Sequence, residues 1–410
     1  MRPLDSNRRG EPRTRFARAG RLTAGVGLAA VCVIAAAGCA GSSQSADAHA
    51  GGSPIKIGLL TSLTGSASLF GIPTEDAARL PIAQINGAGG VLGRKLALDV
   101  GDDASNPSTG LQAASKLING DNADLLVGMH SSATRQAVQS VPMRAGKIYL
   151  YTPVYEGGDC APNTFAFGEI PNQQLQLTIP YMMSRYHAKR WYIVGDDYVW
   201  PHALAADASK IIAANGGSVA GQAFVPLGTT DFTSVVTKIK KAHPDLIFAP
   251  LVGADAVSFV KTAASFGLKV PYLAPLMEEN TVAAIGGSAD TGINTALGYF
   301  QSLNIPGNVK YLAAYHAMFG QKAPIQNSLS ESVYEAINLW AMAAKKAGSI
   351  SESKVEAAMT GLTFNGPRGP VTVEPSHHVR MRMYLAAAQP DGSLKVVRDF
   401  GEILPQTCGS

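Results

Sequence analysis

Residues 55–100 read IKIGLLTSLTGSASLFGIPTEDAARLPIAQINGAGGVLGRKLALDV. The first six, IKIGLL, are a short aliphatic and β-branched run of the kind that forms a buried strand. From Pro73 to Asn86 the apolar residues take helical spacing, with Ala77, Leu80, Ile82 and Ile85 on one side. The glycine-rich stretch 87–90 then ends the helix, and LALDV (96–100) begins the next strand.

The alternation continues outward from this unit. Asn106-Pro107-Ser108 opens a helix through Leu117, LLVGM (125–129) reads as a strand, 131–140 as a short helix and KIYLY (147–151) as a fourth strand. A second series follows, with a helix near 172–186, strand WYIVG (191–195), helix 202–214 and strand 219–225. It continues with helix 231–241, strand DLIFAP (245–250), helix 254–265 and strand 270–274. Strands spaced by helices predict α/β architecture with parallel sheets covered on both faces. Right-handed crossovers make such sheets doubly wound. Two series predict two lobes with a cleft between them.

In open α/β sheets ligands sit beyond the carboxyl ends of the strands. The segments found there are Thr61 to Gly65, Met129 to Thr134, Tyr151 to Gly157 and Asp196 to Pro201. They combine hydroxyls, aromatic walls and carboxylates, a set suited to one small polar solute in a desolvated cleft.

The 410 residues, 46% hydrophobic and 16% charged, are enough for two or three domains at ~150 residues each. Four cysteines exclude a disulfide scaffold. The net charge of +4 is concentrated at the N-terminus, where residues 1–38 carry seven arginines against Asp5 and Glu11. The remainder is near neutral, so nothing in the body predicts a nucleic-acid partner.

Those seven arginines precede an uncharged stretch of small apolar residues, LTAGVGLAAVCVIAAAG (22–38). The pattern is a signal peptide over 1–38, short for a spanning helix. Ala36-Ala37-Gly38-Cys39 resembles a bacterial lipobox, which implies cleavage before Cys39 and lipidation of its sulfur. The alternative is a plain export signal cut near Ala48 or Ala50. Arg8-Arg9 lacks the following apolar residues of a twin-arginine signal. Residues 39–53 read as a flexible tether and 405–410 as a tail. Cys160 and Cys408 then remain as a potential disulfide pair in an oxidising compartment.

Catalytic patterns are absent from the sequence: there is no P-loop, no His-Glu-x-x-His, no Cys-x-x-Cys and no Gly-x-Ser-x-Gly. No cofactor is expected. His377-His378 has no third ligand nearby for a metal and reads as a loop or packing pair. Glu278-Glu279 reads as one carboxylate inward and one outward.

With these features in hand, the chain resembles the type I substrate-binding proteins of ABC transporters, the branched-chain amino acid and amide/urea superfamily. The resemblance covers 54–404. Gly90-Val91-Leu92-Gly93-Arg94-Lys95 and Asp103-Ala104-Ser105-Asn106-Pro107 match general superfamily turns. Tyr155-Glu156-Gly157, Pro171-Asn172-Gln173-Gln174 and Asp197-Tyr198-Val199-Trp200-Pro201 look like the amide/urea branch, with Trp200 in place of its tyrosine. Ser132-Ala133-Thr134-Arg135 and Tyr299-Phe300-Gln301-Ser302 are also similar to that branch. The resemblance implies a periplasmic-binding-protein-like type I fold, two lobes joined by three hinge crossings. Lobe 1 would comprise 54–171 and 303–376, and lobe 2 would comprise 172–302 and 377–404.

It also implies an exported, lipid-anchored, non-enzymatic protein that passes a small molecule to ABC permease and ATPase subunits, as a monomer. The expected ligand contacts are Ser132, His130, Tyr151, Tyr155, Glu156, Tyr198, Trp200 and Glu278. Glu156 would repel an amino acid's carboxylate, which favours urea or a short-chain amide whose NH₂ donates to Glu156, Glu278 or Tyr151. Each residue has a structural alternative. Ser132 could be an N-cap, Tyr155 and Glu156 loop braces, Trp200 core and Glu278 a surface charge. The competing functions are a branched-chain amino-acid carrier, an amide-sensing regulator and an amidase.

Overall fold

A computed structural model of the chain describes residues 52–286 and 292–408. The signal over 1–38, Cys39 and nearly all of the 39–53 tether lie outside the described residues.

The first sheet is built from β1 (Ile55–Thr61), α1 (Gly71–Gly87), β2 (Leu96–Asp102), α2 (Pro107–Ser115), β3 (Leu125–Met129), α3 (Ser132–Val138), α4 (Ser140–Arg144), β4 (Ile148–Tyr151) and β5 (Thr164–Ala166). Its five strands run parallel in the order β2-β1-β3-β4-β5. β3 and β4 are buried along their whole length, as expected of strands covered on both faces. Asn106 caps α2, its side chain accepting from the amides of Ser108 and Thr109, with Pro107 at the first helical position.

The chain then passes to a second sheet. It comprises α5 (Pro171–Leu175), α6 (Thr178–Tyr186), β6 (Arg190–Asp196), α7 (Val199–Ala214), β7 (Ser218–Val225), α8 (Thr233–Ala242), β8 (Leu246–Phe248), α9 (Gly253–Ser265), β9 (Tyr272–Ala274), α10 (Glu279–Ile285) and β10 (Ile293–Leu297). Strands β6 to β10 are parallel to their neighbours. The helix expected near 172–186 is two helices, and the one expected at 202 begins at Val199.

Three helices return to the first sheet: α11 (Pro306–Phe319), α12 (Ser328–Ala347) and α13 (Glu352–Met359). Of these, α12 packs on α1 and β3, and α13 on β4. The chain ends in an antiparallel set, β11 (Thr363–Gly366), β12 (Gly369–Val373), β13 (Val379–Ala388) and β14 (Leu394–Ile403), with β13 pairing with β10. The stretch 303–376, expected in lobe 1, thus includes two strands that extend the second sheet. Three stretches of chain connect the sheets: 167–170, 298–305 and the segment between α13 and β13. No helix among the described residues is long and apolar enough to cross a membrane.

Beyond β14 the tail returns to the first connection. Asn172 Nδ2 donates to the Leu404 carbonyl at 2.8 Å, and the Gln406 amide donates to Asn172 Oδ1 at 3.0 Å. Cys408 forms a disulfide with Cys160, closing a separation of 248 residues. A bridge over so long a loop restricts the unfolded chain strongly. Reduction is expected to cost about 2–4 kcal/mol of stability. Thermal melts with and without a phosphine reductant check this, and equal midpoints would contradict it.

Candidate functional site

The carboxyl ends of both sheets meet at one cavity of about 40 Å³. The exits of β1 to β4 contribute Ser62, Ser105, Met129 to Ser132, Pro153 and Val154. The exits of β6 to β9 contribute Tyr198, Leu227, Val252 and Leu276. Ala67, Phe70 and Leu329 of α12 complete the wall. At roughly 10–15 Å³ for each water, this space suits a solute of a few heavy atoms.

His130, Ser132 and Tyr198 line this cavity as expected from the sequence. His130 is 3% exposed. Its Nδ1 faces the Ser131 carbonyl at 3.3 Å and therefore carries the ring proton, leaving Nε2 to accept from the Tyr149 hydroxyl at 3.0 Å. Burial, assisted by nearby Arg135, pushes its pKa down to about 3, so the ring is neutral. Ser132 Oγ is buried close to the Tyr151 hydroxyl and completes no hydrogen bond of its own. The helix α3 is capped by Ser131, whose hydroxyl accepts from the Thr134 amide, so Ser132 is not the cap. Burial and the Asp196 carboxylate hold the Tyr198 phenol protonated, with its pKa well above the usual value.

Five expected contacts do not line the cavity. Tyr151 lies behind it and donates to the His130 carbonyl at 2.9 Å. Tyr155 is fully buried, hydrogen-bonded to His378 Nε2, and its ring stacks under the Arg135 guanidinium at 4.9 Å. Glu156 is not an open acceptor, because Arg135 Nη2 donates to its Oε1 at 2.6 Å while Nη1 pairs with Asp159. It borders a separate open groove of about 610 Å³ with Pro171, Asn172 and Lys210. Trp200 is 1% exposed and stacks behind Tyr198, with ring centroids 6.2 Å apart.

Glu278 is the N-cap of α10 and accepts from the amides of Asn280 (2.7 Å) and Thr281 (2.9 Å). The expectation that one of Glu278 and Glu279 faces outward is also corrected, since both are buried. Glu279 accepts from the Gln301 amide at 2.7 Å, and burial, with Glu278 beside it, raises its pKa to about 8. His377 stacks on Phe165 with centroids 4.2 Å apart, a packing role.

Sequence reasoning passed over Ser105, Leu227, Val252 and Leu276, although each follows a strand. The rule that finds strand exits would have found them. Expectation favoured polar side chains, and the second-sheet wall is mostly apolar.

The chain matches the family described as periplasmic binding protein over residues 54–393. It is 31% identical over 200 residues to the Leu/Ile/Val-binding protein BraC3 of Rhizobium johnstonii, spanning 47% of this chain and 53% of that relative. It is 25% identical over 349 residues to Leu/Ile/Val-binding protein homolog 1 of Brucella abortus, spanning 82% and 87% of the two chains. Its fold superimposes with a TM-score of 0.79 on an ABC-transporter solute-binding protein from R. palustris solved in complex with benzoate. The two are 23% identical, and the match covers 87% of this chain and 99% of the other.

Proposed function

The chain belongs to the periplasmic binding protein family, whose members bind solutes and are not enzymes, and from that premise we propose that it captures a short-chain aliphatic amide. Urea is the smaller alternative. The solute would sit in the cavity between the sheets, which close over it, and be handed to an ABC permease. The protein would act outside the cytoplasmic membrane, anchored through lipid on Cys39.

One observation carries the choice of solute. No side chain lining the cavity among the described residues bears a charge at neutral pH. A zwitterionic amino acid would bury an ammonium with no carboxylate lining the cavity to pair with it, at a cost of several kcal/mol. A neutral amide needs hydroxyls and an apolar wall, both of which are present. Repulsion by Glu156 no longer enters the argument, because Arg135 neutralises that carboxylate.

A second reading, a branched-chain amino acid, is favoured by the names of the relatives, two of which are Leu/Ile/Val-binding proteins or homologues. A thermal-shift panel separates the two. Butyramide, propionamide, acetamide, urea, leucine and benzoate are each tested at saturating concentration. A ligand at 100 times its Kd stabilises by about 2.7 kcal/mol. The expected result is a rise of several degrees with an amide and none with leucine. A rise with leucine alone overturns the amide reading.

A further inference from the structure

Five hydroxyl-bearing residues line the cavity, and their protons can be accounted for. Ser105 Oγ donates to the Thr64 carbonyl at 3.2 Å and accepts from the Ala67 amide at 3.0 Å, so it is used up. Ser131 Oγ is engaged with the amide and the hydroxyl of Thr134, both at 3.2 Å. Ser132 Oγ can still donate to a solute. The Tyr198 phenol keeps its proton.

Ser62 differs from all of these. Its Oγ donates to Asp103 Oδ1 at 2.6 Å, a distance typical of a charge-assisted bond. Asp103 Oδ1 also accepts the Ser105 amide at 2.9 Å, so it faces two donors and acts as the acceptor towards Ser62. Asp103 is fully buried, and its Oδ2 has no partner among the described residues. With its proton committed, Ser62 has only a lone pair left to offer. Burial raises the Asp103 pKa, while the Ser62 hydroxyl opposes that shift. Oδ1 remains the acceptor in both protonation states, because a proton placed on Oδ2 leaves Oδ1 facing the same two donors.

We propose that Ser62, held by Asp103, is an acceptor-only station that takes an N–H of the solute, and that Asp103 is thereby a positioning residue that lets the cavity tell an amide from the carboxylic acid of the same shape. At the other end, the solute's carbonyl oxygen would accept from Ser132 or Tyr198. A carboxylate has no N–H for Ser62 and would bring a negative charge towards the lone pair and the acid behind it. This inference rests on the cavity being the solute site, and it is separable from the choice of amide as the solute.

The test measures Kd by calorimetry at pH 7 for butyramide, butyrate and leucine, with the wild-type chain, Ser62→Ala and Asp103→Asn. The wild type is expected to bind butyramide at least about tenfold more tightly than butyrate. Ser62→Ala should weaken butyramide about tenfold, in line with loss of one buried hydrogen bond, and leave butyrate unchanged. Asp103→Asn keeps an acceptor oxygen for Ser62 while removing the acid. Butyramide should then stay within about threefold, and butyrate should gain, narrowing the ratio. A purely structural role would move both ligands together, and that result, or no change in Ser62→Ala, overturns the proposal. Tighter binding of butyrate than butyramide by the wild type overturns it as well. If leucine alone binds, the amide reading fails while this inference still requires Ser62→Ala to weaken leucine about tenfold, because the ammonium then supplies the N–H.

Discussion

Replacing Arg368 by methionine is expected to destabilise the protein by about 3–5 kcal/mol, the cost of stranding buried charge by removing its partner. Arg368 is fully buried among Glu169, Glu331 and Glu335, which are 1% exposed or less. Its Nε lies 2.8 Å from carboxylate oxygens of both Glu331 and Glu335, and its Nη2 donates to Ser332 Oγ at 2.5 Å. Glu169 Oε1 accepts from the Gly298 amide at 2.6 Å and the Ser328 hydroxyl at 2.7 Å. The cluster therefore ties together the chain connections that carry Glu169, Gly298 and Arg368.

One guanidinium cannot neutralise three carboxylates. Burial raises the pKa of both Glu331 and Glu335 above the ordinary 4.5, against the pull of Arg368, so the cluster retains protons. The sign of the pH dependence follows. A carboxyl whose pKa is raised on folding contributes stability that is present below 4.5 and is lost as pH rises through the folded value. Without Arg368 both values rise further, so the deficit of Arg368→Met should be larger at pH 8 than at pH 5. Thermal melts at the two pH values measure it, and an equal deficit would mean that the guanidinium matters for its volume and not its charge. Glu331→Gln keeps the shape of a carboxyl that already holds a proton, and it should cost no more than about 1 kcal/mol.

This cluster also shows where reading from sequence stops. Glu331 and Glu335 stand four apart on α12, a spacing that ordinarily marks the solvated face of a helix. They are buried because Arg368 arrives from the β11–β12 turn, a pairing no local pattern encodes. The unit at 55–100 was legible because helical periodicity and a glycine stop are both local signals. Strand β5, three residues long, offers no period to read.

The site divides the same way. The strand-exit rule located the right loops, and His130, Ser132 and Tyr198 do line the cavity. It could not say which way each side chain turns. Glu156 turns to Arg135, 21 positions earlier, and Glu278 turns back onto its own helix. The Ser62–Asp103 pair becomes visible only with strand register. Thr61 pairs with Asp102 in the parallel β1–β2 ladder, which places the next residue of each strand side by side.

Gly168→Ala is expected to weaken solute binding by about a hundredfold, the scale seen when a site is displaced by ~1 Å. Gly168 lies in the first connection between the sheets. A Cβ there would stand 1.9 Å from the Pro153 carbonyl oxygen and 2.6 Å from the Val154 amide nitrogen. Both are backbone atoms, so no side chain can swing aside. The two segments are also locked in register, since the Phe167 amide donates to the Tyr151 carbonyl at 2.8 Å and the Tyr155 amide to the Glu169 carbonyl at 3.1 Å. A methyl group must therefore push the segments apart, at about 1–3 kcal/mol for overpacking plus any ladder bonds it breaks. Pro153 and Val154 line the cavity, so the displacement is delivered to its wall. Gly87→Ala is the control, because nothing lies within 4 Å of a Cβ at that position at the end of α1. It should bind as the wild type does and be stabilised by up to about 1 kcal/mol. Calorimetric titration with the solute found in the thermal-shift panel, beside thermal melts of both variants, gives the comparison. If Gly168→Ala melts lower yet binds as tightly as the wild type, the connection can yield without moving the wall, and the cavity is then positioned by the strand exits alone.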